Sequence, residues 1–187
     1  MADNTVDKKQ QLFAYKLRND RTWFMKNFLK IRNKKQQLVP FEVNKAQILF
    51  NEIVDRDTKA GKPHRYIILK ARQLGMSTWT EGYIYHDTST RENVNSLIIA
   101  HEDKASQNIF NMSKLFYESS PIAIRPMMKY SNAKELVFEN PTNDIVDKLE
   151  SPGLRSKITV ATAGTSDTAR SGTYHNVHAS EVAFLLT

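Results

Sequence analysis

Along the first third of the chain, apolar residues recur at the spacing of one helical face. Asp20 stands where a cap belongs for a helix carrying Phe24, Phe28 and Ile31, and Asn44 stands likewise before Ala46, Leu49, Phe50, Ile53 and Val54. The pattern breaks at Gly61-Lys62-Pro63. Tyr66-Ile67-Ile68-Leu69 follows as a short unbroken apolar run, the signature of a strand buried on both faces. A polar loop, residues 70–77, then leads into a helix predicted from Ser77 to about His86. Leu97-Ile98-Ile99-Ala100 reads as a second buried strand. The next predicted helix opens at Asp103, with Ala105, Ile109, Met112 and Phe116 on one face.

Strand, loop, helix, strand, helix is a βαβ unit, which implies a parallel sheet covered by helices, with ligands at the carboxyl ends of the strands. Residues 119–155 are less periodic, broken by Pro121, Pro126, Pro141 and Pro152, with Leu136-Val137-Phe138 as a predicted edge strand. Residues 158–163 read as a third buried strand, 164–172 as a polar loop and 174–179 as a fourth strand ending at Ser180-Glu181. The expected class is α/β. Its expected division is a helical N-terminal segment, residues 1–60, and a core, residues 61–187, with no internal repeat.

Composition narrows the chemistry. The 187 residues are 40% apolar and contain no cysteine, which fits one globular domain and removes disulfides, thiolate nucleophiles and Cys-based zinc sites. The five histidines fit no H-E-x-x-H pattern, so any metal is expected to ride on a ligand. No apolar run approaches the roughly 18 residues of a membrane span, and the start lacks a signal-peptide core, so a cytosolic protein is expected. The net charge of +7 lies entirely in residues 1–45, which hold 11 basic and 4 acidic side chains, while residues 46–187 hold 16 of each. Such an end suits nucleic acid phosphates or another acidic partner, although charge alone favours a solvated helical face over residues 16–35.

The loop Lys70-Ala71-Arg72-Gln73-Leu74-Gly75-Met76-Ser77 lies between a predicted buried strand and a helix, where backbone amides can cradle phosphate. Against G-x-x-x-x-G-K-[ST], Gly75 and Ser77 match, but Lys70 replaces the first glycine and Met76 the lysine. The loop still offers Gly75 for close backbone approach, the Ser77 hydroxyl for magnesium, and Lys70 and Arg72 as cations. An ordinary surface turn has the same composition. Val177-His178-Ala179-Ser180-Glu181 has an apolar strand's form with polar side chains at its carboxyl end, where Glu181 could orient or deprotonate an attacking water. Gln47 completes a capping box with Asn44, and its amide could also pair with an adenine edge. Arg170 could sense nucleotide, touch DNA, or do neither. His175 and His178 lie three apart on a predicted strand and so cannot form a compact metal pair; packing or hydrogen bonding is expected of both.

Taken in order and spacing, five segments resemble the N-terminal ATPase domain of the large terminase subunit of tailed bacteriophages. They are residues 40–47, 70–77, 161–165, 169–173 and 178–184. The resemblance covers about residues 20–187 and implies a RecA-like P-loop NTPase fold with a mainly parallel central sheet. It makes Gln47 the adenine reader, residues 70–77 with Thr78 the ATP-binding loop, and Glu181 the catalytic carboxylate. In some terminases the loop lysine stands at the start of the loop, so Lys70 supplies the cation that Met76 cannot. Arg72 resembles an arginine that acts on the γ-phosphate. Ser77 is then a magnesium ligand, Ser180 stands where the pattern has Asp and reaches metal through water, and Arg170 is a sensor or DNA contact.

The function implied is ATP hydrolysis with Mg2+ to drive double-stranded DNA into the procapsid, in the host cell cytoplasm and away from membranes. The implied partners are the portal protein, the small terminase subunit and other copies in a ring. Thr187 follows Glu181 by six residues, so the chain is expected to be an N-terminal portion, without the coupling segment and the nuclease domain of that family. Two other readings stand beside it: a helicase-like translocase, and a basic DNA-binding or capsid-assembly module whose nucleotide loop has decayed.

Overall fold

The computed structural model describes residues 3–71, 73–163 and 172–182. Helices α1 (Asp3–Asn19) and α2 (Arg21–Phe28) precede a short hairpin of β1 (Lys30–Arg32) and β2 (Leu38–Pro40). Then come α3 (Lys45–Lys59), α4 (Met76–Thr90), β3 (Asn95–Ala100) and α5 (Asp103–Ser119). The rest is β4 (Tyr130–Ser131), β5 (Glu135–Phe138), α6 (Ile145–Glu150), β6 (Ser156–Thr162) and β7 (Asn176–Ala179). No helix among the described residues is long and apolar enough to cross a membrane.

The main sheet is mixed, with order β4-β5-β6-β3-β7. β3 is parallel to both β6 and β7, aligning Ile98 with Val160 and with His178. β5 is antiparallel to β4 and to β6. Leu136-Val137-Phe138 is therefore not an edge strand: β4 takes the edge, and all three side chains are buried. The protein is thus α/β, with three parallel strands at one side of the sheet. Ile98, Ile158 and Phe138 from the sheet share one apolar cluster with Phe110 and Phe116 of α5. Phe24, Met25, Leu29, Phe41 and Val54, all within residues 1–60, join the same cluster.

Local signals hold where they are capping signals. The Asp20 carboxylate accepts from the Trp23 amide and opens α2, and Asn44 with Gln47 forms both bonds of a capping box on α3. Periodicity misleads twice. The helix after Asp20 ends at Phe28, and Ile31 lies in β1. On α3, Val54 is buried but Leu49 is 62% exposed, because the helix turns Gln47 and Asp57 inward instead.

The apolar run Tyr66-Ile67-Ile68-Leu69 is not a strand. It pairs with no strand among the described residues, and Ile67 and Leu69 are fully exposed. Its start is held from α3, where the Tyr66 hydroxyl donates to Asp57 Oδ2 at 3.0 Å and its ring packs edge-on against Phe50. A strand needs a neighbouring edge for its amides and carbonyls, and apolar side chains alone do not provide one.

Candidate functional site

The loop ahead of α4 is fixed from its underside. Gly75 is the N-cap residue of α4 and has φ 70°, in the left-handed region that glycine adopts without steric cost. Among the described residues no side chain caps the helix at Gly75, which leaves its first amides without that partner. Asn44 Nδ2 donates to the Leu74 carbonyl at 3.1 Å, and Gln47 Nε2 donates to the Gly75 carbonyl at 2.8 Å. Gln47 Oε1 meanwhile accepts from the Asn44 amide at 2.8 Å. The capping box of α3 is thus also a clamp on the loop, and Gln47 is 3% exposed with both ends of its amide engaged.

Met76 explains its own presence. At 5% exposure it points into the core, where a lysine would be buried without its charge being met. Lys70, Ala71, Gln73 and Leu74 lie on the surface, Ser77 and Thr78 are half-buried, and Gln73 has φ 63°. Arg72 lies outside the described residues.

β7 lies against α4 in antiparallel sense. Near the end of α4, Asp87 Oδ2 accepts from Asn176 Nδ2 at 2.8 Å; nearer its start, Glu81 Oε1 accepts from His178 Nδ1 at 2.7 Å. The N-terminus of α4 therefore lies toward the carboxyl end of β7, where Ser180 and Glu181 follow. Ser180 is 7% exposed and its amide donates to the Ile99 carbonyl at 2.8 Å. Glu181 has φ 56°, a strained conformation for a residue with a Cβ. Its Oε2 is 3.1 Å from His101 Nδ1, and its side chain is about half exposed.

Two residues absent from the sequence-level candidates belong to this arrangement. His101 follows the last residue of β3, as Glu181 follows β7, and the rule that sites gather at strand carboxyl ends was signal enough to find it. Glu81 has no sequence signal. It is wholly buried, accepts from Ser113 Oγ at 3.1 Å as well as from His178, and so ties α4, α5 and β7 together. A buried carboxylate without those partners would cost several kcal/mol.

His175 Nδ1 accepts from the Asn95 amide at 3.2 Å, so both histidines of the last strand region are in hydrogen bonds. Among the described residues no group of three or more His, Asp or Glu is placed to hold a metal ion. A cleft of about 300 Å³ beside α5, lined by Asp103, Asn132, Lys134 and Thr162, contains none of the predicted catalytic, ATP-binding or metal-binding residues. Arg170 lies outside the described residues. Neither the protein-family models nor the curated proteins compared with the chain match it.

Proposed function

We propose that the chain is the ATPase portion of a viral terminase large subunit, a RecA-like P-loop enzyme that hydrolyses ATP with magnesium to move double-stranded DNA. The observation that carries this reading is the placement of two features at one end of the sheet. An uncapped helix N-terminus behind Gly75 lies toward the end of β7 where Glu181 emerges. Free amides at a helix start favour phosphate, and a carboxylate at the next strand end can act on water beside it.

In this reading the amides of residues 74–78 hold the phosphates, Lys70 adds charge from the loop's start, and Arg72 acts on the γ-phosphate. Magnesium suits a site with few protein oxygens, because it keeps waters and binds through phosphate. Bound with nucleotide, it would supply charge neutralisation, and Ser77, with Ser180 through water, would hold it. Glu181 orients the water and takes its proton. Gln47 is the adenine reader by the resemblance alone: at 3% exposure, with both ends of its amide engaged, it would have to leave its clamp to reach a base. Portal, small subunit, a ring of copies and the host cytoplasm follow from the family resemblance alone.

Titration calorimetry with ATP, with and without magnesium, tests the reading. Magnesium-dependent binding is expected. Absence of ATP binding in both would favour the decayed-loop module instead, a reading supported by the exposed run that leads into Lys70 and pairs with no strand among the described residues.

A further inference from the structure

Residues 21–41 contain six basic side chains and no acidic one. Arg21 is spoken for, paired with Asp55 at 2.7 Å. Of the others, Lys30, Arg32, Lys34 and Lys35 belong to the β1–β2 hairpin, are exposed, and make no ion pair among the described residues.

The hairpin is rigidly mounted. Leu29 and Phe41, at its base, are each 1% exposed, and the Phe41 amide donates to the Leu29 carbonyl at 3.0 Å. The ladder sets Lys30 opposite Pro40, Ile31 opposite Val39 and Arg32 opposite Leu38. Ile31 packs against the core cluster, so Lys30 and Arg32 share the outward face, about 6.7 Å apart along the strand. That step is comparable to the one between successive phosphates of a nucleic acid strand. The tip is held by Asn33, whose Oδ1 accepts from the Lys35 and Gln37 amides, both at 2.9 Å, while Gln36 adopts φ 62°. A turn that satisfies its own polar groups leaves Lys34 and Lys35 facing solvent in a defined position.

We propose that this hairpin is a duplex DNA contact that seats its cations on backbone phosphates without reading bases. The choice of duplex DNA rests on the motor reading above; the phosphate contact does not. Residues 29–40 contain no aromatic side chain, which disfavours a single strand, because single strands are held by base stacking. The outward face has no buried anchor of the kind that holds a protein partner, only Leu38 and Pro40 beside the cations.

The test is fluorescence anisotropy of a labelled duplex of about 30 base pairs, titrated between about 50 and 200 mM salt. K30A/R32A/K34A/K35A is compared with wild type and with K8A/K9A/K104A/K134A, which removes equal charge elsewhere. The hairpin variant is expected to bind at least about tenfold more weakly, with the log–log salt slope shallower by roughly 3, while the control stays within about threefold. K34E/K35E, confined to the solvent-facing tip, should reproduce most of the loss if the fourfold variant fails to fold. Equal weakening of hairpin variant and control, undiminished binding by the hairpin variants, or absent duplex binding by wild type overturns the proposal. So does tighter binding of a single strand, or equal competition by polyglutamate. ATP calorimetry on the same proteins separates the two readings: failure to bind ATP sinks the motor and leaves the hairpin result intact.

Discussion

The Gln47 side-chain amide donates to the Gly75 carbonyl over 2.8 Å, joining the first turn of α3 to the residue that opens α4. The contact depends on both partners. A Cβ on Gly75 would lie 2.8 Å from Gln47 Nε2, and φ 70° already disfavours any other residue there. A capping box normally serves its own helix; this one also fixes the loop that carries the candidate phosphate site.

Gln47→Ala should therefore destabilise the protein by about 1–2 kcal/mol, since it orphans the Asn44 amide and removes one of the two bonds to the Gly75 carbonyl, which keeps the Trp79 amide. Urea unfolding measures it. A change below about 0.5 kcal/mol would mean that water replaces the clamp without loss.

Lys70→Ala should weaken ATP binding by about 1.5–3 kcal/mol, the range for a charge-assisted hydrogen bond. Met76→Ala should act elsewhere: with Met76 buried, it should cost about 2–5 kcal/mol of stability and leave nucleotide affinity nearly unchanged. Calorimetry and unfolding together separate these outcomes. Normal affinity in Lys70→Ala with loss in Arg72→Ala would make Arg72 the primary phosphate ligand.

Glu181→Gln should keep ATP binding and lower turnover by roughly 10²-fold or more, because it removes a base and not a phosphate contact. Phosphate release and ATP calorimetry on the same variant provide the comparison. Turnover near that of the unsubstituted protein would take Glu181 out of the reaction.

Burial pushes the His86 imidazole down to about 4, and its Nε2 donates to the Leu17 carbonyl at 2.9 Å. Below about pH 6.5 the unfolded chain takes up a proton that the folded one refuses until about pH 4. Stability should thus fall as pH drops through that window, by up to about 3 kcal/mol from this residue. His86→Gln, which keeps a donor for Leu17, should flatten the profile in pH-dependent denaturation. An equally steep decline in that variant would locate the proton uptake at another group.

Gly82 lies inside α4 with Phe41 and Met25 against its backbone, where a Cβ would approach Phe41 Cε1 to 2.9 Å. Gly82→Ala gains about 1 kcal/mol of helix propensity and loses about 1–3 to overpacking, so a net loss of about 1 kcal/mol is expected. A raised thermal midpoint would show that Phe41 yields without strain.

What the sequence determined by itself are the features written within a few residues of one another. Asp20 and the Asn44-Gln47 box cap their helices because the acceptor and the orphan amides are neighbours along the chain. The runs at 97–100 and 158–162 are strands, and α5 buries Ile109 and Phe116, because period and apolar content are local properties too. The candidate loop and Glu181 were legible in the same way. Tertiary structure decided what depends on a distant partner. Residues 66–69 have a strand's side chains but no edge to pair with, while the less apolar stretch from Lys30 pairs with residues 38–40 and becomes one. Glu81 and His178 lie 97 residues apart, and only the packing of α4 on β7 makes a buried carboxylate tolerable by giving it a donor.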